Sequence, residues 1–187
     1  MTDRYHHGDL RRALIDAAVE AVGEAGPSAL SLRAVAKRAG VSHAAPAHHF
    51  GDKAGLLTAV AAEGFDRFAD ALEAAWRDFG EFGAVGAAYV RFAIDHRPYF
   101  EVMFRPELVH TDDPDLLRAE ARSREALHRG SGGAGSGAAF NAAALGAWSL
   151  AHGFAELLIA GNFPQAVKDD PEAAFKAVAR ATGEIRD

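Results

Sequence analysis

Apolar residues recur at helical spacing along nearly the whole chain, and no segment alternates apolar and polar residues as a half-buried strand does. Residues 8–25 show the pattern clearly, with leucine, alanine and valine on one face and charged side chains on the other. Alanine is abundant and β-branched residues are scarce in the long segments, which favours helix. The sequence therefore predicts an all-α fold.

Residues that end or cap helices divide this pattern into separate elements. They are Gly26-Pro27, Ser31, Gly40, Ser42 and Asp52. A long fourth helix is predicted over residues 53–79. Later helices are predicted over 82–96, from Pro114, over 138–160 and over 171–185. We expect a three-helix N-terminal domain, residues 1–55, joined by the long helix to a C-terminal helical bundle, residues 56–187.

Charge is distributed unevenly along the chain. The net charge is −6, but residues 1–60 carry +1 and residues 61–187 carry −7. A near-neutral N-terminal domain can still place cations on one face, so the acidic total does not exclude a nucleic-acid partner. The chain has no cysteine, which excludes disulfides and thiolate chemistry and fits a cytoplasmic setting.

No membrane segment is expected. The N-terminus is charged and lacks the apolar run of a signal peptide. Residues 138–160 are long and apolar enough to suggest a membrane span, but Asn141, His152 and Glu156 interrupt them. A buried helix is the better interpretation.

A short helix, a turn at Gly40 and a second short helix form the pattern of a helix-turn-helix. Ala36 is small where the helices approach, and Val41 is expected to pack between them. Residues 42–49 contain little apolar surface to bury, and cations surround them. Cations in such a position suit contact with phosphates. A helical hairpin within a larger bundle is the alternative that spacing leaves open.

Residues 5–57, YHHGDLRRALIDAAVEAVGEAGPSALSLRAVAKRAGVSHAAPAHHFGDKAGLL, resemble the N-terminal DNA-binding domain of TetR-type transcriptional regulators. Residues 147–161, AWSLAHGFAELLIAG, resemble the Trp-x-x-x-His-Gly signature of one branch of that family. The resemblance implies a homodimer that binds a near-palindromic operator in double-stranded DNA. It also implies a small-molecule effector, usually one that relieves repression.

The same resemblance implies which residues line the DNA. They are Arg33, Ser42, His43, Ala44, Ala45, Ala47, His48, His49 and Lys53. Relatives often carry an aromatic residue at the position of Ala47, where it touches a phosphate, and alanine cannot make that contact. Phe50 is expected in the core. Pro46 removes a hydrogen bond to the Ser42 carbonyl, so we expect a tight or irregular first turn of the recognition helix.

Metal binding and catalysis find no support in the spacing of polar residues. His43, His48 and His49 are not four residues apart, and no carboxylate lies among them. Glu107-x-x-His110 is interpreted as a solvated acidic turn. Gly130-x-Gly132-x-x-Gly135 lacks the preceding strand of a dinucleotide site, so a linker is expected. We predict no metal, no cofactor and no enzymatic activity.

Aromatic residues are concentrated in the C-terminal bundle, which can enclose an apolar cavity for the effector. The predicted lining is Phe92, His96, Phe100, Met103, Phe104, Trp148 and His152. Small residues of the helix over 138–160, with apolar residues of the last helix, are expected to form the dimer interface. The competing hypothesis is a helical ligand-binding or enzymatic bundle that has lost DNA binding.

Overall fold

The computed structural model describes residues 4–129 and 142–183, and within them it contains helices and turns but no strand. The helices are α1 (Arg4–Ala29), α2 (Leu32–Arg38), α3 (Ala45–Phe50), α4 (Lys53–Phe79), α5 (Phe82–Asp95), α6 (Arg97–Met103), α7 (Pro114–His128), α8 (Ala142–Ile159), α9 (Gln165–Asp169) and α10 (Pro171–Ala181). A short 3₁₀ helix, Pro106–Leu108, lies between α6 and α7. The predicted all-α fold is confirmed.

Several predicted boundaries are confirmed by local chemistry. The Ser31 hydroxyl accepts a hydrogen bond from the Ala34 N–H at 3.3 Å, and the Asp52 carboxylate accepts one from the Gly55 N–H at 2.8 Å. These bonds satisfy amides that have no partner within α2 and α4. Gly26, with φ of 77°, interrupts α1 where the sequence predicted its end. The linker predicted at residues 130–137 lies outside the described residues.

The chain divides into two compact units. Unit 1 comprises Met1–Phe65 and Pro98–Ala119, and unit 2 comprises Asp66–Arg97 and Glu120–Asp187. Helices α4 and α7 each contribute to both units. The first unit thus contains α1, α2 and α3 together with α6, which the sequence had assigned to the C-terminal bundle.

The core of unit 1 is formed by aliphatic residues that are almost completely buried. They include Leu14, Val35, Leu56, Leu57 and Val60. At Gly64, α4 approaches α6 so closely that an added Cβ would lie 2.7 Å from the Met103 sulfur. A larger residue at this position would therefore force the Met103 side chain to move.

The core of unit 2 is aromatic. Phe68 packs edge-on against Tyr89, with 4.8 Å between ring centroids, and Phe92 lies 5.1 Å from Phe68. Phe154 of α8 and Phe175 of α10 form another edge-on pair at 5.5 Å. Helix α10 packs on both α5 and α8. Among the residues that the structure describes, no helix is long and apolar enough to span a membrane.

Candidate functional site

Helices α2 and α3 meet through a tight turn whose sequence explains its geometry. Val35 and Ala36 have no exposed surface, so α2 lies flat against its neighbours. Gly40 adopts φ of 68°, which favours glycine, and the Val41 N–H then donates to the Ala36 carbonyl at 3.0 Å. The chain therefore leaves α2 abruptly and turns directly into the segment that leads to α3. This is the helix-turn-helix geometry that the spacing predicted.

The start of α3 differs from the prediction. The helix begins at Ala45, its cap residue is Ala44, and no side chain caps it, so the prediction of Ser42 as the cap is wrong. The reason is Pro46, which has no N–H to donate to the Ser42 carbonyl. The Ala45 N–H donates to that carbonyl instead, at 3.0 Å and three residues away. The predicted tight first turn is thus confirmed.

The residues predicted to contact DNA are all at least partly exposed in unit 1. Ser42, His43, Ala44, Ala47, His48 and Arg33 are exposed, whereas Ala45, His49 and Lys53 are half-buried. Pro46 is buried and anchors α3 to the unit. The short helix therefore presents imidazoles and methyl groups rather than large apolar side chains. Imidazole and methyl groups can contact base edges in a major groove.

Three cationic or titratable side chains line an open groove beside α2. The groove is formed by Ser31, Arg33, Ala34, Lys37 and His43. Neither Arg33 nor Lys37 forms an ion pair with any part of the chain that the structure describes. Their charge is therefore available to a phosphate.

The other two cations of this region are already engaged. Arg38 pairs with Glu20 at 3.2 Å and with Glu24, and the Arg38 guanidinium lowers the pKa of the Glu24 carboxyl. The Lys53 ammonium donates to the Ser28 carbonyl at 2.8 Å. A lysine has three donors, so this bond leaves two for a phosphate. Arg38 is better described as a link between α1 and α2.

Phe50 was expected in the core and is half-buried. The Arg11 guanidinium lies 5.3 Å from the centroid of its ring, a distance typical of a cation–π contact. Phe50 therefore closes the end of α3 against α1 instead of lying fully inside the unit.

A polar network that the sequence did not predict joins the N-terminus of α4 to residues just before α7. The His110 imidazole lies 3.1 Å from the Asp52 carboxylate, and the His110 N–H donates to the Thr58 hydroxyl at 2.8 Å. The Gly55 N–H and, next, His110 lower the pKa of Asp52. His110 was interpreted as part of a solvated turn, because its partners lie more than fifty residues away in the chain.

A small apolar cavity lies within unit 2, with a volume of about 30 Å³. Its walls come from α5, α7, α8 and α10. The lining residues are Phe82, Gly83, Val85, Gly86, Tyr89, Leu127, Ala144, Ala147, Trp148, Leu150, Ala151, Phe175 and Ala179. Phe175 crosses close over Gly86, where an added Cβ would lie 2.5 Å from the ring.

Tyr89 and His152 form the polar end of this region. The Tyr89 hydroxyl lies 2.8 Å from His152 Nδ1, and Glu156 lies 4.0 Å from His152 Nε2. Burial raises the pKa of Tyr89 well above its ordinary range. Burial lowers the pKa of His152, and the nearby Glu156 opposes that shift. Tyr89 is therefore a neutral phenol and His152 a neutral imidazole near pH 7.

This arrangement predicts a pH-dependent stability. Because the pKa of His152 is lower in the folded chain, the unfolded chain binds the proton more tightly, and stability decreases as the pH falls below about 6.5. We expect the melting temperature to fall between about pH 7.5 and about pH 5.5 in the wild type, and to fall less in His152→Gln, since glutamine does not titrate. Melting curves at both pH values test this, and identical pH profiles would argue against it.

The seven residues predicted to line an effector pocket are divided between the units. Phe100, Met103 and Phe104 belong to unit 1, and the rings of Phe100 and Phe104 lie 5.2 Å apart. Phe92, His96, Trp148 and His152 belong to unit 2. Of these four, Trp148 lines the cavity, and His152 reaches it through the Tyr89 hydroxyl. The other lining residues were missed because they are apolar residues typical of any helical core, among them Phe82, Phe175 and several alanines and glycines.

Groups of acidic and histidine side chains with metal-ligand geometry do not occur in the described part of the chain. The strongest acidic cluster is Asp66, Asp70 and Glu73 on α4, and the Arg122 guanidinium occupies it. Arg122 lies 2.6 Å from Asp70 and 2.8 Å from Glu73. The cluster is thus an ion-pair network within unit 2.

The sequence matches the models of two protein families. "Bacterial regulatory proteins, tetR family" matches residues 14–60, which include α2 and α3. "Tetracyclin repressor-like, C-terminal domain" matches residues 82–182, more than half of the chain. Together they cover the helix-turn-helix and the unit that holds the cavity.

Curated relatives match the N-terminal region. The HTH-type transcriptional regulator BetI of Burkholderia thailandensis is 50% identical over 53 residues, which are 28% of this chain and 27% of BetI. BetI of Escherichia coli K12 / DH10B is 48% identical over 50 residues. The chain therefore matches these relatives over only about a quarter of their length.

Solved structures match nearly the whole chain. A Rhodococcus sp. RHA1 protein of unknown function is 34% identical, with a TM-score of 0.69 and coverage of 94% of this chain and 97% of that one. The TetR-like regulator LfrR of Mycobacterium smegmatis, solved in complex with proflavine, is 22% identical, with a TM-score of 0.67 and coverage of 95% and 98%. At that identity LfrR shows the shared fold alone.

Proposed function

Because the chain belongs to the TetR family of bacterial regulatory proteins, we propose that it is a DNA-binding transcriptional regulator whose operator affinity is set by a small effector. The carrying observation is the groove beside α2, where Arg33 and Lys37 have no partner within the described chain and lie next to His43. Cations without an ion-pair partner can bind DNA phosphates. The exposed short helix beside them can then enter the major groove.

Residues 1–55 form the proposed DNA-binding domain, with α3 as the recognition helix. Arg33, Lys37 and Lys53 contact phosphates, and His48 lies at the phosphate edge of α3. The residues that face base edges in the major groove are Ser42, His43, Ala44, Ala45, Ala47 and His49. Ala47 provides only a methyl group, which cannot bind a phosphate, so phosphate binding at that end of α3 depends on His48 and Lys53. Two such helices in a dimer bind half-sites about 34 Å apart on a near-palindromic operator.

Helices α8 and α10 provide the proposed dimer interface. Val178 of α10 is 38% exposed, and an added Cβ at Gly153 of α8 would meet nothing within 4 Å. An open face with small residues lets a second helix pair approach closely. A twofold axis between α8 and α10 of two protomers would form a four-helix interface.

The effector binds within unit 2 and acts through α4, which contributes to both units. It relieves repression by binding more tightly to the conformation with low operator affinity. The matched family is one of regulatory proteins, and we propose neither a catalytic activity nor a cofactor. We place the protein in the cytoplasm, where its operator would be.

His43→Ala tests the recognition-helix assignment. We expect the variant to keep its fold but to change base preference at one or two positions of each half-site, because His43 is exposed at the groove-facing end of the turn. Selection of bound duplexes from a randomised pool compares the variant with the wild type. Ala121→Ser, an exposed change on α7, is the control. Identical base preferences for His43→Ala and the wild type would contradict the assignment.

A further inference from the structure

We propose that the cavity in unit 2 takes a neutral, flat, bicyclic aromatic compound that carries one hydrogen-bond donor. This inference rests on the proposed regulator function, because it names the chemical class of the effector. It follows from three properties of the cavity: its lining carries no charge, its volume is small, and the one hydroxyl group of its lining, on Tyr89, is a hydrogen-bond acceptor.

The first property is charge. None of the thirteen lining residues is acidic or basic. Arg91 of α5 forms an ion pair with Glu172 of α10, and neither residue lines the cavity. A cationic or anionic ligand would therefore lose its hydration without gaining a counter-ion. The cavity selects a neutral compound.

The second property is size. A volume of about 30 Å³ holds a few water molecules at most, so an organic ligand must take space that a side chain now fills. Trp148 is the lining side chain best placed to yield, since it is 39% exposed whereas Tyr89 and Phe175 are buried. Outward rotation of Trp148 leaves a flat slot of indole size between α5 and α8. The ligand therefore has the shape of the ring that it replaces.

The third property is the hydrogen bonding of Tyr89. Glu156 lies near His152 Nε2, which favours the tautomer with its proton on Nε2. His152 Nδ1 is then an acceptor and takes the proton of the Tyr89 hydroxyl, 2.8 Å away. The Tyr89 oxygen is left as an acceptor. The Trp148 indole lines the same cavity and can only donate, and its interaction with the Tyr89 hydroxyl partly offsets the rise in pKa that burial causes.

A ligand that displaces Trp148 meets this acceptor oxygen in its place. A hydroxyl or N–H group on the ligand can donate to the Tyr89 oxygen, whereas an ether of the same size cannot. The charged groups near this hydroxyl are Glu156 on α8 and the titratable His152 beside it. Both already face each other, so neither offers an ion pair to the ligand.

Three probes of one shape test the charge requirement: 1-naphthol, 1-naphthoate and 1-naphthylmethylammonium. Calorimetric titration of the full chain at pH 7 should show binding of 1-naphthol. The affinity for 1-naphthoate and for 1-naphthylmethylammonium should each be at least about a hundredfold lower. Equal or tighter binding of either ion overturns the proposal, and so does failure of 1-naphthol to bind.

The donor requirement is tested with 1-methoxynaphthalene and Tyr89→Phe. Tyr89→Phe should lower the affinity for 1-naphthol about tenfold and leave the affinity for 1-methoxynaphthalene nearly unchanged, because only 1-naphthol donates a hydrogen bond to the deleted oxygen. An equal effect on both ligands overturns the proposed hydrogen bond. Ala147→Leu, which fills the cavity, should abolish 1-naphthol binding, and Ala121→Leu, the same substitution at an exposed position of α7 outside the lining, should not.

DNA binding is measured on the same samples. If the wild type binds its operator but the naphthalene series does not follow the expected order, the effector class is wrong and the regulator function stands. If no operator is bound while 1-naphthol still binds, the regulator function fails and the cavity assignment stands.

Discussion

Phe68→Ala is expected to lower the free energy of unfolding by about 3–5 kcal/mol, the usual cost of deleting a buried phenyl ring. Phe68 is 1% exposed and contacts the rings of both Tyr89 and Phe92. Its loss leaves a cavity at the centre of the aromatic core, which the surrounding helices can fill only partly. Urea unfolding at a fixed temperature measures the change.

Phe79→Ala is the matched control, because it makes the same substitution on the same helix. Phe79 is 69% exposed, so its truncation should change the free energy of unfolding by no more than about 0.5 kcal/mol. A loss for Phe68→Ala that is no larger than the loss for Phe79→Ala would contradict the described core of unit 2.

The double variant Arg33→Ala and Lys37→Ala is expected to cause the largest loss of DNA affinity. Each phosphate contact contributes about 0.9 to the slope of log affinity against log salt, so the slope should become shallower by about 2 per protomer. At about 0.1 M salt the affinity should fall by roughly 50-fold per protomer, and so by more than about a thousandfold for the dimer, for all sequences alike. Fluorescence anisotropy with a labelled duplex at several salt concentrations measures both quantities.

Two single variants test whether the change in salt slope is specific to Arg33 and Lys37. Arg124 is exposed on α7 of unit 2, so Arg124→Ala should leave the slope unchanged. Arg38→Ala should lower the melting temperature, since Glu20 and Glu24 lose their partner, while reducing the salt slope less than Arg33→Ala does. A double variant with the wild-type slope would remove the groove beside α2 from the interface.

Local chemistry made the helices of this chain predictable. Ser31 and Asp52 accept hydrogen bonds from amides three residues away, and Gly40 adopts a positive φ, so these effects could be derived from local sequence alone. The predicted long helix over 53–79 is confirmed at both ends. Pro46 is instructive because the tight turn was predicted correctly while the cap was not. Ser42 was assigned as a cap from its residue type, but the missing N–H of Pro46 moved the start of α3.

The candidate site was less predictable because it depends on contacts between distant segments. The cations near α3 were evident in the sequence, but only the structure shows that Arg38 is neutralised by α1 while Arg33 and Lys37 are not. The cavity lining escaped prediction for a related reason. Trp148 was predicted, but the rings of Tyr89 and Phe175 line the space with it. Small residues such as Ala147 and Gly86 complete the walls, and which side chains meet there depends on how the helices pack.

The most direct test of DNA recognition uses the wild-type protein and a duplex from the region upstream of its own gene. Anisotropy titrations should compare this duplex with a shuffled duplex of the same length and composition, between about 50 and about 200 mM salt. We predict at least about a thousandfold preference for the native duplex, with affinity that falls steeply as salt rises. Equal affinity for both duplexes, or binding that salt does not weaken, would contradict the account.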